Sequence, residues 1–132
     1  MSIVVLDTDV CSAILRGRLT SDQAARLANQ TYAVSFVTVG ELTKWSRLRT
    51  WGPQRMLDYA RFWDRVIILP YSPTVAVTWG DVQARAQLRG RPRPSNDTWI
   101  AACCLVRGLP LATLNGRDFQ DLADHDGLDL FF

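Results

Sequence analysis

Apolar residues along this chain come in two rhythms. Five short runs are candidate strands: "IVVL" (3–6), "YAVSFV" (32–37), "VIIL" (66–69), "LATL" (111–114) and "LDLFF" (128–132). The first four are nearly all apolar and rich in β-branched residues, as expected of strands covered on both faces. Helical spacing fills the gaps, over 10–17 and 20–29, 39–49 and 53–65, 74–89, 97–107 and 118–124. Pro53 suits the first turn of a helix, while Gly108 and Pro110 stop the one before them. Within 74–89, Val75, Trp79, Val82 and Ala86 share one face, and Asp81, Arg85 and Arg89 share another. Strands alternating with helices predict an α/β fold around a central, mainly parallel sheet of four to five strands joined by right-handed crossovers. Such sheets carry their sites in the crevice at the carboxyl ends of the strands.

Length and composition narrow the class. A chain of 132 residues, 48% of them apolar, makes one domain over 1–132 with a real core. A net charge of +2 excludes a polybasic tail or an acidic disordered segment. The kind of charge is unusual. Lys44 is the only lysine among 15 cations, and Glu41 the only glutamate among 13 acids. Heavy arginine use suits phosphate or carboxylate recognition, and GC-rich coding produces it equally. Cys11, Cys103 and Cys104 lack metal-ligand spacing and fit a reduced compartment. There is no signal-type start, and the longest uncharged stretch, Val66 to Gly80, contains two prolines and falls short of the ~20 residues that span a bilayer. The expectation is a cytoplasmic protein without a membrane segment.

The strand ends hold the chemistry. Asp7 and Asp9 close the first run, in "VVLDTDV". Glu41 follows the second, in "FVTVGEL", and Asp97 opens a helix in "RPSNDTWIAACCL". Asn115 and Asp118 follow the fourth, in "LATLNGRDF". Each acid has a bland explanation. Asp9, Asp97 and Asp118 lie at helix starts, where carboxylates cap free N–H groups. Glu41 completes Thr38-x-x-Glu41, a capping-box pattern. Asp7, at the end of a buried strand, is the hardest to explain in that way. Together the acids point elsewhere. Unit charges about 5 Å apart repel by roughly 3 kcal/mol at an effective dielectric near 20. Converging carboxylates therefore need a cation or must take up protons. A hard divalent ion, Mg²⁺ or Mn²⁺, one or two in number, suits oxygen ligands. A lone histidine, His125, and the cysteine spacing argue against zinc. Carboxylate-held Mg²⁺ acts mostly on phosphates. Arg89, Arg91 and Arg93, in "LRGRPRPSND", could guide a polyanion towards it, or form a solvated loop.

Four motifs in register, "LDTD", the glutamate after the second strand, "NDTWIAA" and "TLNGRDF", give the chain a resemblance to PIN domains, and more narrowly to the VapC toxins of VapBC toxin–antitoxin modules. The resemblance covers the whole chain. It implies a PIN-like three-layer α/β/α sandwich and a Mg²⁺- or Mn²⁺-dependent endoribonuclease that cleaves structured RNA, tRNA or rRNA, to inhibit translation. Asp7, Glu41 and Asp97 match the family's core acids, and Asp118 its more variable fourth. Thr8, Thr113 and Asn115 would orient carboxylates or water, and Asn96 would support the loop. Asp9 stands where many relatives have Ser or Asn and reads as peripheral. The family also implies a homodimer and neutralisation by a VapB-type antitoxin, in a heterotetramer or larger complex. Leu42, Trp45, Leu48, Trp51, Met56, Tyr59 and Trp63 are candidates for its groove, or for ordinary packing.

Two other classes remain open from sequence. A haloacid-dehalogenase-like phosphatase also begins with a strand and Asp-x-Asp, with Asp7 as nucleophile and Asp9 as acid. It wants a lysine at the phosphate, and Lys44 is the sole candidate. A non-catalytic α/β binding module would use the acids as caps. Asp81 and Arg85 read as a surface helix pair, and His125 as part of a solvated turn.

Overall fold

The computed structural model describes residues 2–132. Four strands, β1 (Ile3–Leu6), β2 (Thr31–Ser35), β3 (Val66–Leu69) and β4 (Leu111–Ala112), form one parallel sheet in the order β3-β2-β1-β4. Seven helices connect them: α1 (Thr8–Arg16), α2 (Ser21–Leu27), α3 (Phe36–Leu48), α4 (Pro53–Trp63), α5 (Pro73–Leu88), α6 (Ser95–Arg107) and α7 (Gly116–Asp126). The chain lays down β1, β2 and β3 in one direction, then places β4 on the other side of β1. The strand order thus reverses at β1 and β4, and the crevice at their carboxyl ends is the switch point where open α/β sheets bind ligands.

Alternation along the strands sorts the core into two clusters. Val5, Ala33 and Leu69 pack with Val75 and Val82 of α5, Ile100 to Cys104 of α6, and Phe119 and Leu122 of α7. Val4, Leu6, Val34 and Ala112 pack on the other face with Val10 and Cys11 of α1, Leu27 of α2, Leu42 of α3 and Phe62 of α4. This is the expected three-layer α/β/α sandwich.

Local chemistry shifts three boundaries. Phe36 and Val37 have strand-forming side chains, yet they open α3, because the Ser35 hydroxyl accepts the Thr38 N–H at 3.3 Å and starts the helix there. β3 is less covered than its composition suggests. As an edge strand it leaves Ile67 and Ile68 exposed, at 43% and 45%. The fifth run is not a full strand. Leu130 makes a single parallel bridge to Leu111, and Phe131 donates to the Leu111 carbonyl at 2.7 Å. Arg26 of α2 fixes this end, donating to the Phe131 carbonyl at 2.7 Å and lying over the rings of Phe131 and Phe132.

The polar face of α5 also differs from expectation. Arg85 pairs with Asp126 of α7 at 2.8 Å, not with Asp81 one turn away. Arg89 bridges Asp121 at 2.5 Å and Asp126 at 3.4 Å. His125 belongs to the last turn of α7 rather than to a loop, and its Nε2 lies 3.7 Å from Asp121. Among the described residues, no helix is long and apolar enough to cross a membrane.

Candidate active site

β1 is buried from Val4 to Leu6 and delivers Asp7 to the switch point, 3% exposed. The residue serves two elements at once. Its extended backbone ends the strand, and its Oδ1 accepts the Val10 N–H at 2.8 Å, which makes it the N-cap of α1. The cap of this helix is therefore Asp7, and Asp9 sits in the first turn instead. The other oxygen, Oδ2, accepts the Thr113 hydroxyl at 2.5 Å, from just beyond β4. That hydroxyl is itself fixed by the Asn115 N–H at 2.9 Å. Two donors are not enough to offset the loss of water. Burial, aided by the charges of Asp9 and Asp97, pushes the Asp7 pKa up to about 7.

Glu41 projects from the interior of α3, too far along the helix for a capping box, since Ser35 is the cap. Thr8 donates to its Oε1 at 2.6 Å. Behind Thr8 the hydroxyls of Thr38, at 3.1 Å, and Ser35, at 3.4 Å from Thr38, continue the chain of hydrogen bonds inward. Asn96 reaches Glu41 Oε2 at 3.4 Å from the start of α6. The sequence pattern suggests only a capping role for Thr38. Its place behind Thr8 depends on a pairing 30 positions apart, which no local pattern reveals.

Asp97 lies in the first turn of α6, a helix whose N-cap, Pro94, supplies no side-chain hydrogen bond. Half-burial, then the charges of Asp118, Glu41 and Asp9, raise its pKa to about 6, and Arg93 opposes them. Asp118 occupies the first turn of α7. Asp9, expected at the periphery, instead faces the same space, with its carboxylate held by the Asn115 side-chain amide.

The five carboxylates of Asp7, Asp9, Glu41, Asp97 and Asp118 thus line one cavity of about 130 Å³, walled on the apolar side by Trp45, Ile100 and Phe119. Larger hollows exist. One near α1 and α4 is about 490 Å³ and is bordered by Ile14, Leu15 and alternating acids and arginines. Volume does not mark the site; unbalanced charge does. None of the five acids has a cation within ion-pair distance among the described residues. Nor, among the described residues, do any three of these side chains stand close enough to hold one ion between them. Oxygen-only donors, an open arrangement and uncompensated negative charge fit a divalent ion that keeps much of its water shell.

The remaining expected residues divide. Arg91 is exposed, and Arg93 donates to the Asp118 carbonyl at 3.3 Å; with Arg117 they border a hollow that shares Asp118 with the acid cavity. Arg89 is committed to Asp121 and Asp126 in the seam between α5 and α7. Lys44 borders a neighbouring hollow rather than the acid cavity, so no lysine meets Asp7. Among the groove candidates, Leu42 and Trp51 belong to the core, whereas Leu48 is 71% exposed.

Comparison with known proteins agrees with this fold. The PIN domain family model matches residues 4–125. The tRNA(fMet)-specific endonuclease VapC of Shigella flexneri is 30% identical over 118 residues, covering 88% of this chain and 89% of that protein. Ribonuclease VapC1 of Haemophilus influenzae (strain R2866) is 26% identical over 125 residues, covering 92% and 93%. Among solved structures, VapBC-1 from nontypeable Haemophilus influenzae superposes with a TM-score of 0.80 at 26% identity, over 97% of this chain and 96% of that one. DNA-bound VapBC from Salmonella typhimurium gives 0.86 at 23% identity, over 98% and 97%, a likeness of fold.

Proposed function

The chain belongs to the PIN-domain family and, within it, to the VapC ribonucleases, and from this premise we propose that it is the toxin of a type II toxin–antitoxin pair, a divalent-metal-dependent endoribonuclease acting on structured RNA. The observation that supports the reading most is the convergence of five carboxylates, without a cation, at the switch point of the sheet. Asp7 and Asp97, with Glu41 and Asp118, would hold Mg²⁺ or Mn²⁺, one ion or two. When bound, such an ion lowers the pKa of water and neutralises charge on a phosphodiester.

The protein's own groups prepare the site. Thr113 fixes Asp7, Thr8 fixes Glu41, and Asn115 holds Asp9, so the carboxylates face the cavity before substrate arrives. The first N–H groups of α6, left without a side-chain cap, favour a phosphate at the rim. Arg91 and Arg93 add positive charge on the approach, while Arg89 acts as a brace for α7. Trp45, Ile100 and Phe119 limit water on the inner wall. In the reaction, a water oxygen bonds to phosphorus, the bond from phosphorus to a ribose oxygen breaks, and the leaving oxygen takes up a proton.

The relatives suggest tRNA as substrate and a VapB-type antitoxin as partner, and the family resemblance adds a homodimer of this chain inside the complex. The phosphatase alternative finds less support, because the sole lysine lies outside the cavity. The deciding experiment treats total RNA with the purified, antitoxin-free protein in Mg²⁺, in Mn²⁺ and in EDTA, beside Asp97→Ala. Discrete fragments that need metal and vanish in the variant are expected. Cleavage that persists in EDTA, or no cleavage by folded, metal-loaded protein, overturns the assignment.

A further inference from the structure

Beside the acid cavity lies a cluster of opposite charge. Arg16 ends α1, Arg18 follows it, Arg49 caps the end of α3, and Arg55 lies in the first turns of α4. They are close enough that Arg49, Arg18 and Arg55, after burial, each push the Arg16 pKa down. None of the four joins an ion pair among the described residues. The Arg16 Nε is shut off from water without a hydrogen-bond partner. A favourable helix end accounts for Arg16 by itself, since cations suit the last turn. It does not account for four guanidinium groups gathered without an ion pair, none of which can shed its proton.

The cluster is joined to the acid cavity at two points. Arg16 and Arg18 border a cleft of about 390 Å³ together with Asp9, Ser12 and Asn115, and both Asp9 and Asn115 also line the acid cavity. Trp45, in the cavity wall, carries the Arg49 guanidinium 5.0 Å from its ring centre, and Trp51 carries Arg55 at 5.6 Å. Aromatic rings hold these two guanidinium groups in place while leaving their N–H forks unpaired with carboxylates. The cavity therefore adjoins a hollow with Arg16 and Arg18 beyond Asp9, and a second of mixed charge beyond Asp118, where Arg91, Arg93 and Arg117 face Asp121 and Asp124.

We propose that Arg16, Arg18, Arg49 and Arg55 form a phosphate-binding arm that holds the RNA backbone beside the acid cavity, on the Asp9 side, as the strand crosses the acids. The inference rests on the ribonuclease reading above. Guanidinium forks match phosphate oxygens in pairs, and a polyanion needs flanking positive charge to enter a cavity lined by five carboxylates. An acidic protein segment offers the same charge, and the test below separates the two.

The test is fluorescence anisotropy with a short fluorescein-labelled RNA, in EDTA to prevent cleavage, across a potassium chloride series. Arg16→Gln/Arg18→Gln should raise the apparent Kd by about tenfold or more at moderate salt. The same double variant should reduce the salt slope by about 1.4, near 0.7 for each phosphate of a single strand that is no longer neutralised. Arg49→Gln, a change at an exposed helix end, should reduce the slope by about 0.7 and guards against misfolding of the double variant. Arg107→Gln, at the far end of α6, should change neither. Wild-type cleavage of RNA with unchanged Kd and slope in both variants overturns the arm and leaves the ribonuclease assignment standing. Loss of antitoxin binding with RNA binding intact makes the cluster a protein-docking surface and also overturns it. A wild-type protein that neither binds nor cleaves RNA sinks both readings.

Discussion

Helix α7 contributes acids to two regions that use the same chemistry in opposite ways. At its start, Asp118 joins Asp7, Asp9, Glu41 and Asp97 around a cavity with no cation among them. Further along the helix, Asp121 and Asp126 meet Arg85 and Arg89 of α5, with His125 beside them. In the seam, the Arg89 guanidinium lowers the Asp121 pKa. In the cavity, burial and like charge raise Asp7 to about 7 and Asp97 to about 6. The seam is complete within the folded chain and ties α7 to α5. The cavity is complete only when something positive enters. Carboxylates that lack partners in the fold are the ones available for a ligand.

Removing a cavity acid should separate activity from stability most sharply. Asp7→Ala or Asp97→Ala is expected to reduce metal-dependent RNA cleavage by about 10²–10³-fold, the size of several kcal/mol of charge stabilisation. The melting temperature of metal-free Asp97→Ala should stay level or rise, because a repelling charge has gone, whereas Asp7→Ala also loses the cap of α1. A fall in the melting temperature of Asp97→Ala that parallels its loss of activity would mean that this acid serves the fold.

Loosening one acid without deleting it should give a smaller effect. Thr113→Val removes the 2.5 Å donor to Asp7. Mn²⁺ affinity, measured by calorimetry, is expected to fall by about 10–100-fold, as when other supporting groups around a metal are lost. Unchanged affinity would remove Thr113 from the site.

Acidity should reverse the two regions. Folded Asp7 and Asp97 titrate near 7 and 6, against 3.8 when unfolded. Between those values the folded chain binds more protons, so metal-free stability should rise as pH falls from 8 to about 5, by an order of a few kcal/mol. Asp121 has the opposite sign. Its lowered pKa stabilises the fold above the unfolded value, and that contribution is lost on further acidification. A maximum in melting temperature between the two ranges is expected, and saturating Mn²⁺ should move it to higher pH. A metal-free melting temperature that climbs from pH 5 to 8 contradicts the cavity assignment.

The smallest expected effect comes from the seam. Asp121→Asn should lower the melting temperature by a few degrees and weaken Mn²⁺ binding only slightly, through the placement of Asp118 at the other end of α7. A loss of activity as large as that of Asp97→Ala would show that the two regions are not separate.

Much of the fold is legible in the order of residues alone. β1 and β3 run as their apolar stretches predict, and each of the seven expected helices appears, α3 starting three residues before its expected position. The differences share a cause. Phe36 and Val37 follow a local capping bond rather than their own preference, and the exposure of Ile67 and Ile68 follows from the position of β3 at the edge of the sheet. Arg85 and Arg89 find partners on α7, although a partner one turn away is the simpler expectation.

The sequence by itself determined the α/β alternation, the family and the presence of acids at the carboxyl ends of separate strands, because hydrophobic period and local motifs are properties of neighbours in the chain. Only the tertiary structure decided which charges meet. It made Asp7 the cap of α1, brought Asp9 into the cavity, committed Arg89 to the seam and left Arg16, Arg18, Arg49 and Arg55 without an ion pair among the described residues. A charge owes its role to groups that packing brings within a few ångströms and to the water that packing removes, and neither is written in the spacing of residues along the chain.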